Sequence, residues 1–358
     1  MKKTKNKLKI AVAMSGGVDS AVAAKLLKNQ GHEVVGIFLH FWKEEIKGRK
    51  SPENKCCSLE ALSDARRVAA KIGIPLYTLN FAKVFKKQVV DNFLAEYAKG
   101  KTPNPCVRCN KLVKLGFLIK QVKKLGFDYV ASGHYLKKIN DKLYRAEDQG
   151  KDQSYFLYTL SKKELAHLLF PLGNYRKTQV RQMAKKFKLS VAEKPESQEI
   201  CFIAEKSHNE FLKRHLKLMT GPIKTLGGQT VGTHQGLPLY TIGQRKGIKI
   251  GGIGPFYAAK MDYKTNILFV VDKSSHPLIC KTYLIAKRVN WLSGLTPKLP
   301  LHCSAAIRYH HKTAKCVVAK INSHNFKVKF TEPQRAIMPG QSVVFYRGKE
   351  ILGGGVIK

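Results

Sequence analysis

The chain has 358 residues, of which 44% are hydrophobic and 25% are charged. This composition is ordinary for a folded protein of two or three domains and excludes wholesale disorder. No apolar run reaches the ~18 residues of a membrane-spanning helix, and the basic N-terminus does not continue into the apolar segment of a signal peptide. We therefore expect a cytoplasmic protein that has no membrane partner.

The net charge indicates the class of partner. Lys and Arg number 65 against 24 Asp and Glu, which gives a formal charge of +41. Residues 1–210 carry 41 basic and 20 acidic side chains, and residues 211–358 carry 24 and 4, so the excess is not confined to a tail. Such a field attracts polyanions at long range. We predict a nucleic-acid partner; the alternative is a uniformly lysine-rich composition that has no functional meaning.

The first 135 residues alternate between buried strands and amphipathic helices, an order that predicts a parallel sheet with right-handed crossovers. Helical spacing continues over Lys162–Leu169 and Arg176–Phe187. The predicted strands are Leu8–Met14, Glu33–Leu39, Pro75–Asn80 and Asp128–Ser132, and the predicted helices are Val18–Asn29, Leu59–Ile72, Val84–Lys99 and Lys111–Leu125.

Glycine-rich, strand-forming sequence replaces this pattern from about residue 205 onward. Alternating apolar residues with frequent turn signals predict a small β-barrel at the C-terminal end. We predict three domains: residues 1–205 (α/β), 206–280 (a β-rich connection) and 281–358 (the barrel). The predicted strands are Ile267–Val271, Ala305–Tyr309, Cys316–Ile321, Phe326–Phe330 and Ser342–Tyr346.

The segment SGGVDS, Ser15–Ser20, lies between a predicted buried strand and a predicted helix. Its two glycines let the backbone approach an anion, and N–H groups at the helix start face phosphates. Ser15 and Ser20 add hydroxyl donors, and Asp19 can help to hold Mg²⁺. The GK[ST] ending of a P-loop and the G-x-G-x-x-G pattern of a dinucleotide-binding fingerprint are both absent. The segment resembles the pyrophosphatase loop of the PP-loop ATP pyrophosphatases; the alternative is a structural turn with a capping Ser and Asp.

The eight cysteines of a chain this large, with no signal sequence, indicate reactive or buried thiols rather than a disulfide framework. Cys106 and Cys109 lie in TPNPCVRCN, before a predicted helix, where Arg108 and Lys111 should favour a thiolate. A zinc site would need a second such pair, and a thioredoxin-like dithiol would need a different fold. A sulfur-transfer thiol with Cys201 as a distant partner fits best, although Cys201 alone would be typical of a core residue.

Seven segments, taken together and in this order, resemble the tRNA-specific 2-thiouridylase family (MnmA) of the PP-loop superfamily over essentially the whole chain. The resemblance implies an adenine nucleotide alpha hydrolase-like sheet domain, a central β-rich domain and a C-terminal barrel. It implies that ATP with Mg²⁺ adenylates the C2 oxygen of uridine 34 in tRNAs for Lys, Glu and Gln, and that a persulfide sulfur then replaces this oxygen. The segments are SGGVDS, TPNPCVRCNKLVKLGF, ASGHY, KDQSYFLYTL, ESQEICFI, HQGLPLYTIGQRKGI and PGQSVVFY.

The resemblance also assigns residues. It implies that Cys109 is the nucleophile and that Cys201 carries the persulfide, with a Cys109–Cys201 disulfide formed when sulfur is released. The barrel would bind the anticodon stem while the base is flipped into the pocket. A cysteine desulfurase or a sulfur-relay protein is the implied donor. The implied ATP site is Ala13, Met14, Ser15, Gly16, Gly17, Val18, Asp19, Ser20, Leu39 and Gly133; the implied contacts to tRNA or target base are Asn104, Pro105, Cys106, His134, Lys151, Asp152, Gln153, Arg308, Tyr309 and Gln341.

One departure from the family pattern leaves the sulfur chemistry open, because Cys106 stands where many members carry Asp. Cys106, Cys109 and Cys201 could hold an Fe–S cluster with an open iron site, which makes a cluster mechanism the alternative to the persulfide. A superfamily amido-ligase and a non-catalytic RNA-binding protein are the other functional alternatives. The remaining cysteines are predicted to be a loop pair, Cys56 and Cys57, and core residues of the barrel, Cys280, Cys303 and Cys316.

Overall fold

The computed structural model describes residues 7–44, 58–196, 200–203, 208–248, 250 and 255–358. Cys56 and Cys57 lie outside the described residues, as does the 197–199 part of the ESQEICFI segment. The described strands form a five-stranded, a four-stranded and an eight-stranded sheet. Within this part of the chain, no helix is both long and apolar enough to cross a membrane.

The five-stranded sheet is wholly parallel and forms the core of the N-terminal part. Its central strand reads KIAVAM and is buried on both faces, as expected for a parallel sheet covered by helices. The strands in chain order are β1 (Lys9–Met14), β2 (Glu33–His40), β3 (Leu76–Asn80), β4 (Tyr129–Ser132) and, after the hairpin β5 (Leu136–Ile139) and β6 (Lys142–Arg145), β7 (Leu168–Leu169). The spatial order is β3-β2-β1-β4-β7.

The helices that flank this sheet begin and end at recognisable signals. The Ser58 hydroxyl accepts from Ala61 N at 3.1 Å at the start of the second helix, and Gly73 ends it in the left-handed conformation. The helices are α1 (Val18–Asn29), α2 (Leu59–Ile72), α3 (Ala82–Phe85), α4 (Asp91–Ala98), α5 (Pro105–Cys109), α6 (Gly116–Lys124), α7 (Lys162–Leu165), α8 (Lys177–Lys186) and α9 (His208–His215). The π-helical segment Lys86–Val90 connects α3 to α4, and the π-helical segment Asn110–Lys114 leads from α5 toward α6. Two short 3₁₀ turns lie at Ser154–Phe156 and Leu237–Leu239.

Two helix predictions differ from the structure. The helix predicted from Lys111 begins at Pro105, because the Asn104 side chain caps it by accepting from Val107 N at 3.2 Å. The helix predicted over Lys162–Leu169 ends at Leu165, and its last two residues instead join the parallel sheet as β7 beside Val130 and Ala131. In both cases a local cap or a sheet edge outweighs the helical spacing.

The remaining strands form the central and C-terminal parts. The pairing of the first and last barrel strands closes a six-stranded antiparallel barrel, in the order β12-β15-β14-β13-β16-β17. The predicted fold class is confirmed. The strands are β8 (Gly221–Thr225), β9 (Thr230–His234), β10 (Tyr257–Asp262) and β11 (Ile267–Val271) in the four-stranded sheet, and β12 (Cys280–Trp291), β13 (Leu301–Ala306), β14 (Ala314–Lys320), β15 (Asn325–Arg335), β16 (Ser342–Arg347) and β17 (Glu350–Ile357) in the barrel.

The barrel is fixed to the N-terminal part by main-chain pairing and by buried hydroxyls. Strand β6 pairs with β17, so the hairpin β5–β6 extends the barrel sheet. The Tyr155 hydroxyl donates to Ser342 O at 2.8 Å. A Cβ on Gly354 would lie 2.5 Å from Val343 O and 2.8 Å from the Tyr158 ring, so this glycine permits a close approach of the two parts.

Candidate active site

The SGGVDS loop joins β1 to α1 and is held in shape by its own side chains. Gly16 has φ +69°, and a Cβ there would overlap the carbonyl of Ala61, so only glycine fits. The Ser20 hydroxyl donates to Gly17 O at 3.1 Å and accepts from Ser15 N at 3.2 Å. The loop therefore presents its backbone at the start of α1 in a fixed conformation.

The other predicted nucleotide residues lie around this loop. In the register of β1 with β2, Met14 pairs with Phe38, which places Leu39 at the same edge of the sheet. Gly133 follows β4, and a Cβ there would lie 2.8 Å from Ser20 N, so glycine lets β4 end against the first turn of α1. The carboxyl edge of β1, β2 and β4 thus brings together the predicted ATP residues, where α/β sheets bind ligands.

Sequence analysis missed a buried cation beside this loop. Lys177, the first residue of α8, is 7% exposed and donates to both carboxylate oxygens of Asp19, at 2.7 and 2.8 Å. The Tyr135 hydroxyl also donates to Asp19, at 2.7 Å. A cation in the first turn of a helix opposes the helix dipole, which is a signal that the sequence did contain.

The Lys177 ammonium also contacts the segment that leads toward Cys201. It lies 2.8 Å from Glu196 Oε1, while Lys151 Nζ lies 2.7 Å from Glu196 Oε2. Burial alone would raise the pKa of Glu196, but the hydrogen bonds from these two lysines outweigh burial and lower it. Glu196 is therefore an anion held between two cations.

Cys106, Cys109 and Cys201 line one pocket, although they come from distant parts of the sequence. Cys109 is buried, whereas Cys106 and Cys201 are half-buried. The structure therefore brings the two predicted catalytic thiols into the same cavity. The other lining residues are Phe85, Val89, Pro105, Asn110, Lys114, Ile200 and Phe202.

The electrostatics of these thiols differ from the prediction. Burial raises the pKa of Cys109 well above its ordinary value and raises that of Cys106 to about 11, with Lys114 as the opposing cation. The expectation that Arg108 and Lys111 favour the thiolate is wrong, because their side chains bind Gln88 and Glu164 instead. Cys109 also lies a full turn inside the helix rather than at its start. Both thiols rest in the protonated form.

The predicted base-contacting stretch Asn104–Cys106 lies at this pocket. Pro105 and Cys106 line it, and the Asn104 side chain caps the helix that carries them. His134 forms a 2.8 Å hydrogen bond with Ser132 Oγ, and burial lowers its pKa to about 3, so its ring is neutral.

The KDQ turn, Lys151–Gln153, is held by bonds within the chain. Asp152 accepts from Ala146 N at 3.0 Å and from the Ser154 hydroxyl at 2.8 Å. Gln153 Oε1 accepts from Tyr135 N at 3.0 Å. The turn is thereby fixed against the residues that follow β4.

The other predicted contact residues belong to the barrel. The Tyr309 ring packs 4.4 Å from that of Phe156, and Gln341 Nε2 donates to Thr102 O at 2.9 Å, just before α5. Burial raises the pKa of Tyr309 to about 12, with Asp152, Cys106 and Glu196 close enough to add to the effect. Arg308 donates to Arg335 O at 3.0 Å.

The turn that carries Arg308 and Tyr309 corrects one strand prediction. Strand β13 ends at Ala306, so the predicted strand Ala305–Tyr309 is wrong over most of its length. The chain turns back within the next residues, and His310 has φ +57°, which is incompatible with an extended strand. These residues therefore form the tip of the β13–β14 hairpin, and Tyr309 is an electrostatic neighbour of Cys106.

Three protein-family models match this chain, one each in its N-terminal, central and C-terminal part. The model described as tRNA methyl transferase HUP domain matches residues 8–205, the tRNA methyl transferase PRC-barrel domain matches 209–272, and the aminomethyltransferase beta-barrel domain matches 281–357. A tRNA-specific 2-thiouridylase MnmA from Carboxydothermus hydrogenoformans is 44% identical over 98% of this chain and 97% of its own length. The chain belongs to the tRNA-specific 2-thiouridylase family.

Two further similarities complete the comparison. The tRNA-specific 2-thiouridylase MnmA 2 of Clostridium tetani is 44% identical, with 98% of this chain and 99% of that protein covered. Among solved structures, an NMN synthetase from Francisella tularensis is 18% identical with a TM-score of 0.34, covering 54% of this chain and 67% of its own. The relatives that span the full length thus carry the 2-thiouridylase name, and the family uses ATP through its PP-loop domain.

The three thiols of the pocket are not arranged like the ligands of an Fe–S cluster. Among the residues that the structure describes, no three His, Cys, Asp or Glu side chains are placed to hold a metal ion. Cys106, Cys109 and Cys201 share a pocket but, as arranged here, do not converge on a common point as cluster ligands would. The thiols in this arrangement do not fit a cluster.

A second residue that sequence analysis missed is Asn110, which follows Cys109. It is 4% exposed and lines the thiol pocket. Its Oδ1 has no hydrogen-bond partner among the described residues. A buried acceptor without a partner is costly, so this oxygen is available to accept a hydrogen bond from a group that enters the pocket. Nothing in the sequence pattern distinguishes this Asn from a capping residue.

Proposed function

We propose that this protein uses ATP to replace the C2 oxygen of the wobble uridine, position 34, of tRNA with sulfur. The observation that carries the proposal is that the predicted catalytic thiols share a pocket, while a series of side-chain contacts leads from its neighbourhood to the phosphate loop. Tyr309 lies close to both Cys106 and Glu196. Glu196 binds Lys177, which binds Asp19. The names of the full-length relatives support the same activity.

The phosphate loop would bind ATP and position the leaving pyrophosphate. The backbone N–H groups at the start of α1 and the hydroxyls of Ser15 and Ser20 would bind the phosphates. The Asp19 side chain is 31% exposed and presents the oxygen ligands that Mg²⁺ prefers, so it would hold the ion together with the phosphates. Bound Mg²⁺ would supply charge neutralisation for the pyrophosphate. The uridine O2 attacks the α-phosphorus, pyrophosphate leaves, and C2 becomes electrophilic.

The thiols would then deliver the sulfur. The terminal sulfur of a Cys201 persulfide attacks C2. The Cys109 thiolate attacks Cys201 Sγ and breaks the S–S bond, so the delivered sulfur remains on C2 and AMP departs. The product is 2-thiouridine with a Cys109–Cys201 disulfide, which two electrons from a cellular dithiol reduce. Because burial keeps the Cys109 thiol protonated, it must lose its proton before it attacks.

Asn110 would recognise the flipped base. Its unpartnered Oδ1 suits a donor such as the N3–H of uracil, and cytosine lacks a hydrogen at that position. A site built to accept a hydrogen bond rejects analogues that cannot donate it. The buried acceptor therefore gives the pocket a preference for uridine.

The charge of +41 supports a tRNA substrate, and we propose the tRNAs for Lys, Glu and Gln. The hairpin tip with Arg308 and Tyr309 would contact the anticodon arm. We propose a cytoplasmic location and a cysteine desulfurase or a sulfur-relay protein as the donor that loads Cys201.

ATP–pyrophosphate exchange, measured with and without unmodified tRNA, tests the proposal. Exchange that depends on tRNA, followed by 2-thiouridine when a persulfide-loaded donor is added, is the expected result. Exchange that depends on an amino acid instead would indicate an amido-ligase. Binding of tRNA without any exchange would indicate an RNA-binding protein whose nucleotide fold is inactive. Either of these two results rejects the proposal.

A further inference from the structure

A pair of thiols outside the proposed active site lies in the C-terminal barrel. Cys303 on β13 and Cys316 on β14 are directly paired in the antiparallel register, and their Sγ atoms are 3.7 Å apart. Both are free; Cys316 is buried and Cys303 is half-buried. Opposed residues on antiparallel strands have Cα atoms ~4.5–5.5 Å apart, within the range of ~4.4–6.8 Å that a disulfide spans.

The two thiols differ in their readiness to react. The hydrogen bond from the Cys316 thiol lowers the pKa of Cys303, and nearby Arg347 acts in the same direction while burial opposes it. The same hydrogen bond, together with burial, raises the pKa of Cys316. Cys303 is therefore the attacking thiolate, and Cys316 is the thiol that resolves the intermediate.

We propose that Cys303 and Cys316 form a reversible dithiol–disulfide site that a low-molecular-weight disulfide such as glutathione disulfide oxidises. The Cys303 thiolate attacks one sulfur of glutathione disulfide, which forms a mixed disulfide and releases one glutathione thiolate. Cys316 gives its proton to solvent and attacks Cys303 Sγ, which releases the second glutathione thiolate. Two protein thiols are oxidised and one glutathione disulfide is reduced. The sulfurs approach by about 1.7 Å, which side-chain rotation permits.

The position of the pair gives the cross-link a structural consequence. The last paired residues before the hairpin turn are Ala305 and Ala314, so the disulfide would join the strands two residue pairs below the turn. That turn carries Arg308 and Tyr309. Oxidation would restrict the base of the segment that contacts tRNA, a consequence that rests on the proposed function.

The modification itself is tested on the full-length protein in glutathione redox buffers, with alkylation of free thiols, trypsin digestion and mass spectrometry. The expected product is the peptide 299–308 linked to the peptide 316–320, whereas Cys280 in the peptide 274–281 is the internal control and is alkylated. Cys316→Ser should leave Cys303 as a mixed disulfide with glutathione, and Cys303→Ser should leave Cys316 unmodified. Absence of the linked peptide at every buffer ratio, or reaction of Cys316 without Cys303, would overturn the proposal.

The effect on tRNA is tested by comparing reduced and oxidised protein, for the native sequence and for the Cys303→Ser/Cys316→Ser double variant. Oxidation should change the tRNA Kd of the native sequence about twofold or more relative to the double variant. Equal changes in both proteins would overturn this consequence. Failure of the reduced protein to bind tRNA would instead contradict the proposed function, and the peptide map is independent of either result.

Discussion

The ammonium of Lys177 lies 2.7 Å from Asp19 Oδ1 and 2.8 Å from Glu196 Oε1. One buried cation therefore joins the SGGVDS loop to the segment that leads toward Cys201. Its removal would leave two carboxylates close together without their shared partner. The contact explains why a lysine occupies the first turn of α8, where the helix dipole disfavours it.

Substitution of Lys177 by Met should lower ATP–pyrophosphate exchange by about 100-fold, because a positioned cation beside the phosphates is lost. It should also reduce the free energy of unfolding by about 3 kcal/mol, because a buried ion pair loses one member. Lys185→Met on the same helix is the control, since Lys185 is 62% exposed and pairs with the exposed Glu193. Lys177→Arg should recover part of the exchange. Equal exchange in Lys177→Met and Lys185→Met would show that the contact is structural only.

Substitution of either Cys109 or Cys201 by Ser should abolish 2-thiouridine formation and leave ATP binding intact, because neither thiol belongs to the phosphate loop. Liquid chromatography of digested tRNA measures the product, and Cys280→Ser is the control. In Cys109→Ser loaded by the sulfur donor in the absence of tRNA, an additional sulfur atom should remain on Cys201, detectable by mass spectrometry of the peptide. Product formed by Cys201→Ser would contradict the assignment of the persulfide.

Substitution of Asn110 by Leu should lower kcat/KM for tRNA by about 10- to 100-fold, because a hydrogen bond to the base is worth about 1.5–3 kcal/mol once its partner is buried. The KM for ATP should not change. Asn110→Asp keeps an acceptor at the same position and should retain more activity than the Leu variant. If the Asp and Leu variants lose the same activity, Asn110 has a packing role and does not bind the base.

The alkylation rate of Cys106 should keep rising to a higher pH than that of an ordinary thiol, because burial raises its pKa. Its pKa is raised to about 11, so the thiol stays protonated at neutral pH, and the thiolate fraction increases up to about pH 11. The rate of alkylation by iodoacetamide, followed on its tryptic peptide, should still be rising above pH 9. Free cysteine in the same buffers should level off earlier. A rate for Cys106 that is constant above pH 9 would contradict a raised pKa.

Burial of the Cys106 thiol also affects stability. Because its pKa is higher in the folded state than in the unfolded state, its contribution to stability is fully present below about pH 9 and is lost as the pH rises toward 11. Cys106→Ser should therefore reduce the loss of stability over that range, by at most about 2 kcal/mol. Denaturant unfolding at pH 8 and pH 10 measures the difference.

Where a local signal determines the end of a helix, the sequence was enough to predict that helix. The helices Val18–Asn29 and Leu59–Ile72 have the predicted bounds, because a glycine or serine cap precedes each and the apolar spacing is regular. The phosphate loop was predictable because its glycines and hydroxyls act within a few residues of each other. The pairing of Cys109 with Cys201 was proposed from the cysteine motif and from the family resemblance, but no local signal determines it, because it depends on how distant segments pack.

The missed residues depend on tertiary contacts. Lys177 is one of many lysines, and only the fold places it against Asp19. Asn110 is distinguished by a missing partner, which a sequence cannot display. The hairpin turn with Arg308 and Tyr309 was predicted as a strand because its apolar and polar residues alternate. A backbone with positive φ at His310, rather than that alternation, determines where β13 ends.

The affinity for tRNA should fall steeply with salt, because Lys and Arg side chains that neutralise phosphates release counterions when they bind. The logarithm of the association constant should decrease linearly with the logarithm of salt concentration, with a slope of about −0.7 to −0.9 for each phosphate contact.

Arg308→Ala, at the hairpin tip, should reduce the magnitude of that slope by about one contact. Lys185→Ala, which removes an exposed cation from α8, is the matched control and should leave the slope unchanged. Filter binding or fluorescence anisotropy gives the slopes. The measurements span roughly 50 to 300 mM salt, where the salt dependence of the affinity is large. A flat profile for the native sequence would mean that the charge of +41 serves another purpose, and equal slopes for Arg308→Ala and the native sequence would remove Arg308 from the tRNA contact.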